Sequence, residues 1–338
     1  MIKLINIVNG NIVLIDLETP WVEKYRPQNF SDIVSQSIAI ENIKDFITSN
    51  NMPHMIFTGP AGTGKTSTAL IIAKEAIKSE NYYINVLELN ASDTVRMEYV
   101  RTVIKDFVNQ NVMVGSSTVK FILLDEADNI PNQVQQALRR IIEKSSNDVK
   151  FILLCNYINK IIDPIISRCA VFRFVKLSKE KIIERLKLII KKEGIKISPK
   201  KANEFYETLF FISEGDLRKA INTLQMAVAL ELIDNLDLAE ILKISGFLDN
   251  NTFNKLILTI KEHNLNHAKD LIESIENLDS RNLIRQIINE LPSLNINPSA
   301  YANLISFIGE IDYRISQGSD EQIQITALIA KLIRYSEG

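Results

Sequence analysis

The sequence predicts an α/β domain built on a parallel sheet, followed by a small helical domain and an all-α C-terminal domain. Three observations predict it. Apolar runs of buried-strand length at 55–58, 84–89, 119–124 and 149–154 alternate with helix-period segments at 65–78 and 96–109. Strands separated by helices form a parallel sheet covered on both faces. A glycine-rich turn, Gly59-Pro60-Ala61-Gly62-Thr63-Gly64-Lys65-Thr66-Ser67, joins the first of these strands to the helix that follows. Beyond about residue 178 the strand signal stops, and amphipathic helices follow one another to the end of the sequence.

Taken in order, residues 2–15 are apolar-rich but interrupted by Asn6, Asn9, Gly10 and Asn11, and no small-residue cleavage site follows. They read as an extension, a short strand pair turning at Asn9-Gly10, rather than as a targeting signal. Trp21-Val22-Glu23-Lys24-Tyr25-Arg26-Pro27 is a rigid charged-aromatic segment ahead of a helix at 38–49, where Ile40, Ile43, Phe46 and Ile47 share one face. The helix at 96–109 gathers Val100, Val103, Ile104 and Phe107 on one side. Val171-Phe172-Arg173-Phe174 is a further apolar strand. Ile182, Ile183, Leu186, Ile189 and Ile190 then form a helical stripe that stops near Gly194. Helices fit 199–212 and 216–232, the chain turns between about 234 and 250, and 252–336 reads helical, punctuated by Pro292 and Pro298. The expected organisation is an N-terminal extension at 1–19 and domains at 20–176, 177–236 and 237–338.

Composition narrows the function classes. Lys and Arg number 39 against 41 Asp and Glu, a net charge of −2, so a polyanion partner has to be met by a local basic patch. Cys155 and Cys169 form neither a disulfide framework nor a Cys-x-x-Cys pair and read as reduced, buried thiols. Three histidines outside any Cys/His cluster argue against a zinc module. No apolar run reaches transmembrane length, which argues against a membrane role.

The chemistry starts at the glycine-rich turn. Glycines at 59, 62 and 64 let the backbone wrap tightly and point its N–H groups inward, and the helix N-terminus behind them favours anions. Lys65 supplies a cation for the β- and γ-phosphates and the Thr66 hydroxyl a ligand for Mg²⁺, so this phosphate-binding loop (P-loop) is read as a nucleoside-triphosphate site. Asp125-Glu126, after the buried strand 119–124, suits it as a partner: Asp125 to hold the metal and Glu126 to polarise the attacking water. Asp128 reads as a cap or a salt-bridge partner. Gly59, Asp125 and Asn156 all fall at carboxyl ends of strands, where ligands of such sheets bind. Asn156 reads either as a hydrogen-bond donor to phosphate or water, or as an ordinary strand-end turn residue. Arg168 reads as a solvated or salt-bridged charge unless a neighbouring subunit brings a nucleotide to it. Arg218, opening a helix, reads equally as a lid residue or as surface charge.

These segments together carry a resemblance. Val22-Glu23-Lys24-Tyr25-Arg26-Pro27, the phosphate-binding loop, Leu89-Asn90-Ala91-Ser92-Asp93, Asp125-Glu126-Ala127-Asp128, Ser167-Arg168-Cys169 and Gly215-Asp216-Leu217-Arg218 occur in the order found in the small subunits of replication factor C. The chain resembles that family, the AAA+ sliding-clamp loaders of archaea and eukaryotes, from about residue 20 onward. The resemblance implies an α/β P-loop AAA+ core with a parallel sheet, a helical lid domain, and an all-α C-terminal collar domain that holds subunits together. It implies a Mg²⁺-dependent ATPase that, with a large subunit and other small subunits in a pentamer, opens the sliding clamp (PCNA) and places it on primer–template DNA. Its location would be cytoplasmic in an archaeon and nuclear in a eukaryote. By the same resemblance Lys65 and Thr66 bind phosphate and metal, Asp125 the metal and Glu126 the water. Asn156 matches the first sensor and Arg218 the second. Arg168 is the arginine finger acting in trans, Val22 and Arg26 pack against the nucleotide, and Val34 lies by the adenine. Arg101, Lys105 and Arg139 fall on helices that face DNA in the family. Val112-Met113-Val114 reads either as a clamp contact or as core.

Two positions depart from the family pattern. Thr94-Val95-Arg96 replaces Glu-Arg-Gly, which bears on local DNA contacts, and Ser35 replaces a common glycine, which bears on adenine packing. Other classes stay in view: a nucleotide-binding scaffold that donates an arginine finger, or another AAA+ motor on DNA. The presence of Lys65, Asp125, Glu126 and Arg168 favours catalysis. A branch-migration motor would carry a C-terminal winged helix, whereas 252–336 reads helical with no basic cluster.

Overall fold

The computed structural model describes residues 3–8, 11–16, 19–49, 51–77, 82–91, 97–110, 119–145, 148–235, 237–275, 278–294 and 296–335, with backbone alone for 3–8, 11–16, 97–101, 234 and 235. Strands β1 (Lys3–Val8) and β2 (Asn11–Asp16) pair antiparallel, Lys3 opposite Asp16 and Val8 opposite Asn11. The expected turn at Asn9-Gly10 lies outside the described residues.

Five strands form the parallel sheet: β3 (His54–Thr58), β4 (Val86–Asn90), β5 (Lys120–Asp125), β6 (Val149–Cys155) and β7 (Cys169–Arg173), in the order β4-β5-β6-β3-β7. Every adjacent pair is parallel. The first of these strands to be laid down, β3, therefore sits between the last two. A crevice opens at its carboxyl end, where the strand order reverses. Register brings the ends level: Thr58 lies opposite both Cys155 and Arg173, and Asn90 opposite Asp125.

Period-two alternation splits the apolar strands between two layers. Ile56, Ile122, Leu124, Phe151 and Leu153 pack with Ile104 and Phe107 of α3 (Met97–Asn109) and with Val134, Leu138 and Ile142 of α4 (Asn132–Lys144). Met55, Phe57, Phe121, Leu123, Ile152 and Leu154 pack with Ile43 of α1 (Ser37–Thr48) and with Ala69, Ile72 and Ile77 of α2 (Lys65–Ile77). Each such fully buried side chain is worth about 1.5–3 kcal/mol. Lys120 and His54 are polar residues buried within the strands. Lys120 donates to Phe107 O at 2.7 Å and also to Gln110 O, placing a cation at the C-terminus of α3 where the helix dipole favours one. His54 Nδ1 accepts the Phe151 N–H at 3.1 Å.

Chain contacts divide the molecule into two units, Met1–Ile195 with Ser213–Asn222, and Lys196–Ile212 with Thr223–Gly338. After β7 the first unit continues into α5 (Lys179–Lys192). The helices that follow are α6 (Ala202–Ser213), α7 (Leu217–Ala229), α8 (Leu238–Ile244), α9 (Asn250–Lys261), α10 (Leu265–Glu273), α11 (Ser280–Glu290), α12 (Pro298–Ser316) and α13 (Glu321–Tyr335). The last five enclose one core, with Leu256, Ile260, Leu283, Ile287, Leu304, Ile311, Leu328 and Leu332 at its centre. Side-chain caps set the starts of α9 to α12: Asp249, Asn264, Asp279 and Asn297 each accept a backbone N–H from the first turn.

The strand read at 84–89 begins only at Val86, because Tyr82–Asn85 form a helical turn. The stretch 234–250, read as a turn, contains α8, whose first turn is capped by Asp237 accepting from Glu240 N at 3.1 Å. The helix is seven residues long, too short for a periodic apolar pattern to stand out. Among the described residues no helix is long and apolar enough to cross a membrane.

Candidate active site

At the carboxyl end of β3 the loop is gripped from both neighbouring strands. Gly59 N–H donates to Cys155 O at 3.2 Å, and Phe174 N–H donates to Thr58 O at 2.8 Å. Gly59 has φ +149°, and a Cβ there would lie 2.1 Å from Phe174 O, so backbone approach demands glycine. Gly62 has φ +65°, and a Cβ there would lie 1.7 Å from Asp216 Oδ1. Asp216 in turn accepts from Lys219 N at 3.0 Å, while Leu217 N–H donates to Gly62 O at 3.3 Å. The Gly-Asp-Leu-Arg segment thus starts α7 directly against the phosphate-binding loop.

Lys65 is only 9% exposed. Its Nζ donates to Gly59 O at 2.6 Å, Pro60 O at 2.8 Å and Asn156 Oδ1 at 3.0 Å. Burial lowers its pKa, with the carboxylates of Asp125 and Asp128 acting the other way. Thr66 Oγ1 donates to Asp125 Oδ2 at 2.8 Å, and Asp125 Oδ1 accepts the Glu126 N–H at 2.8 Å. Glu126 takes a left-handed backbone, φ +53°, and its Oε2 accepts from Asn129 Nδ2 at 3.2 Å. Asp128, 9% exposed, accepts the backbone N–H groups of Asn156 and Tyr157, each at 3.2 Å. It therefore holds in place the loop segment that carries Asn156.

A cleft of about 250 Å³ gathers these groups. Its polar end is formed by Ala61, Gly62, Thr63, Gly64, Lys65, Thr66, Ser67, Asp125, Glu126 and Asn156. Its other end is largely apolar: Val22, Tyr25, Pro27, Ile33, Val34, Leu177, Leu217 and Ile221, with Arg26 and Arg218 contributing charge. Gly59 and Pro60 lie beneath, holding the lysine by their carbonyls. Ser35 adopts φ +67°, the left-handed conformation that glycine enters freely, which accounts for a glycine being common there in the family. The neighbouring Gln36, also left-handed at φ +65°, donates to Val175 O at 2.9 Å and fixes this wall to the end of the sheet. Ile33, Leu177 and Ile221 escaped the sequence reading, since each is an ordinary core residue until the chain is folded, while Tyr25 and Pro27 stood in the Val22–Pro27 motif without a role of their own. The Gly-Asp-Leu-Arg motif alone pointed toward Asp216 and Leu217.

Arg168 lies outside this cleft. Its Nη2 is 2.5 Å from Glu143 Oε1, and its Nη1 donates to Pro164 O at 2.6 Å. Glu143 also accepts from Arg139 Nε at 3.0 Å, and its hydrogen bond from Arg139, with the charge of Arg168, lowers its pKa. Lys105 lines a different groove, of about 640 Å³ between α3 and α4, together with Gln133, Gln136, Arg140 and Lys144. The Arg101 side chain, Ser92–Arg96 and Val112–Val114 lie outside the described residues.

A five-stranded parallel sheet with a phosphate-binding loop after β3, an asparagine after the neighbouring β6 and an Asp-Glu pair after β5 beyond it defines an AAA-type ATPase. Residues 55–177 match the family of ATPases associated with various cellular activities, and residues 249–331 match the replication factor C C-terminal domain. The chain is 39% identical over 325 residues to the replication factor C small subunit of Sulfurisphaera tokodaii, covering 95% of this chain and 97% of that protein. It is 40% identical over 331 residues to that of Methanothermobacter thermautotrophicus, covering 96% and 100%. The Thermotoga maritima RuvB Holliday junction branch migration motor shares the fold at a TM-score of 0.52 and 17% identity, over 75% of this chain and 86% of that one. The chain belongs to the replication factor C small subunit family.

Proposed function

We infer that the chain is an ATP-hydrolysing subunit of a sliding-clamp loader, acting in a replication factor C complex on the clamp and on primer–template DNA. The observation that carries the reading is the Lys65 ammonium, buried and, among the described residues, held by neutral oxygens, beside the Thr66–Asp125 pair. A desolvated cation with no carboxylate in contact fits an incoming phosphate. A hydroxyl and a carboxylate 2.8 Å apart fit Mg²⁺, which commonly takes one or two protein oxygens and completes its shell with water and phosphate. Bound with ATP, the ion would neutralise charge on the β- and γ-phosphates.

In this reading the loop N–H groups and Lys65 cradle the triphosphate, and Thr66 and Asp125 hold the metal. The Glu126 carboxylate leaves Asn129 to take a proton from the attacking water. Asn156, kept in place by Asp128, orients that water or the γ-phosphate, and Arg218 reaches over the nucleotide from α7. The apolar end, with Val22 and Val34, receives the base, and Arg168 completes a neighbour's site. Residues 177–236 serve as the lid and 237–338 as the collar between subunits. Lys105, Arg140 and Lys144 offer local cations to the DNA backbone, whereas Arg139 shares its carboxylate with Arg168.

The test is ATP turnover by the chain alone and with partner subunits, clamp and primed DNA. Turnover should be low alone and rise in the assembly. Glu126→Gln should keep ATP binding while hydrolysis is lost; equal loss of both would remove Glu126 from the role of base.

A further inference from the structure

The wall of the cleft formed by Val22, Tyr25, Arg26 and Pro27 has little structure of its own. It is a four-residue helical turn, Trp21–Lys24, followed by irregular chain. What holds it lies 160 residues or more along the sequence. Tyr25, 8% exposed, donates from its hydroxyl to Glu193 Oε1 at 2.5 Å. The same oxygen receives Lys24 Nζ at 2.7 Å. Arg185 Nη2 donates to Tyr25 O at 2.7 Å, and the ammonium groups of Lys24 and Lys192 stand 5.6 and 5.8 Å from the Tyr25 ring. Burial, then Glu193, pushes the Tyr25 pKa up to about 12, so its hydroxyl remains a donor at neutral pH. Arg185 lies within α5 and Glu193 is its C-terminal cap. Neither lines the cleft.

We propose that Glu193 and Arg185 are positioning residues for nucleotide, latching the Val22–Pro27 wall to α5 so that the base-side half of the cleft is formed before nucleotide arrives. The proposal rests on the cleft being an ATP site. Without the latch, the wall has to be ordered during binding, and that entropy is subtracted from the affinity. The phosphate-binding half has separate anchors, at Cys155, Phe174 and Asp125. The latch therefore acts on the base and ribose and leaves the phosphates alone. It also ties α5, which follows the sheet, to the occupant of the cleft.

Calorimetric titration of the full chain with Mg·ATP and, separately, with inorganic tripolyphosphate tests this. Glu193→Gln should weaken ATP binding about tenfold, the size of effect expected for a hydrogen bond to a charged group, and leave tripolyphosphate binding unchanged. Tyr25→Phe should weaken ATP binding similarly. The two losses should be less than additive in the double variant, because Tyr25→Phe removes the hydroxyl whose bond Glu193→Gln weakens. Unchanged ATP affinity in Glu193→Gln, equal loss of both probes, or additive losses in the double variant would overturn the latch. A wild-type chain that binds neither probe would instead overturn the reading of the cleft.

Discussion

Lys65 and His54 sit on the same strand-and-loop segment and show two ways a buried base is handled. Lys65 stays charged because carbonyls and an amide oxygen replace water around it. His54 instead stays neutral: burial, then the nearby Lys150, lowers its pKa from 6.5 to about 4. Its Nδ1 must accept the Phe151 N–H, and its Nε2 has no partner among the described residues. Between these two pH values the unfolded chain binds a proton that the folded chain refuses. The contribution of His54 is thus complete above pH 6.5 and is lost as the pH falls toward about 4. The thermal midpoint should decline across that window, and His54→Gln, which can still accept from Phe151, should decline less. Parallel curves for the two proteins would remove His54 as the cause.

Among the elements, α4 connects the Asp125-Glu126 turn with the segment that leads to Arg168. Gln135, 1% exposed, donates to Ile130 O and Lys160 O, each at 2.9 Å, and accepts from Ile162 N at 2.9 Å. One end of this junction follows the Asp125-Glu126 turn, and the other leads to Arg168. Arg139 lies one turn further along α4 and Glu143 a turn beyond that, and Glu143 holds Arg168 itself. Gln135→Leu would leave buried backbone groups unpaired and should cost about 3 kcal/mol in urea unfolding. A loss well under about 1 kcal/mol would mean that water or rearranged backbone satisfies those groups. Elements with long apolar periods, such as β3, β5, β6 and α2, were legible in sequence. The seven-residue α8 was not, because its start is set by one capping aspartate rather than by a repeating pattern.

At the scale of the whole molecule the proposed site is one cation short. Arg168 is fastened to Glu143 and Pro164 and does not line the chain's own cleft. In the proposed reading, an arginine delivered across a subunit boundary would withhold hydrolysis until assembly. In the assembled complex Arg168→Ala should leave ATP binding intact and lower stimulated turnover by about 10³. Undiminished stimulated turnover would exclude it as the trans arginine.

The sequence by itself determined the parallel sheet, the phosphate-binding loop and the Asp125-Glu126 pair. These depend on local spacing: apolar runs of strand length, glycines where the backbone must turn, and acids at a strand end. It also held the family resemblance, because those motifs keep a fixed order. Only the tertiary structure decided what surrounds them. Asp216 against Gly62, Asp128 beneath Asn156, Gln36 on Val175 and Glu193 on Tyr25 join residues 28 to 168 positions apart. Each pair is made by the sheet's strand order and by the return of α5 and α7 to its carboxyl edge. No local pattern encodes such pairings, since an acid that caps a distant loop has the same neighbours in sequence as one that faces water.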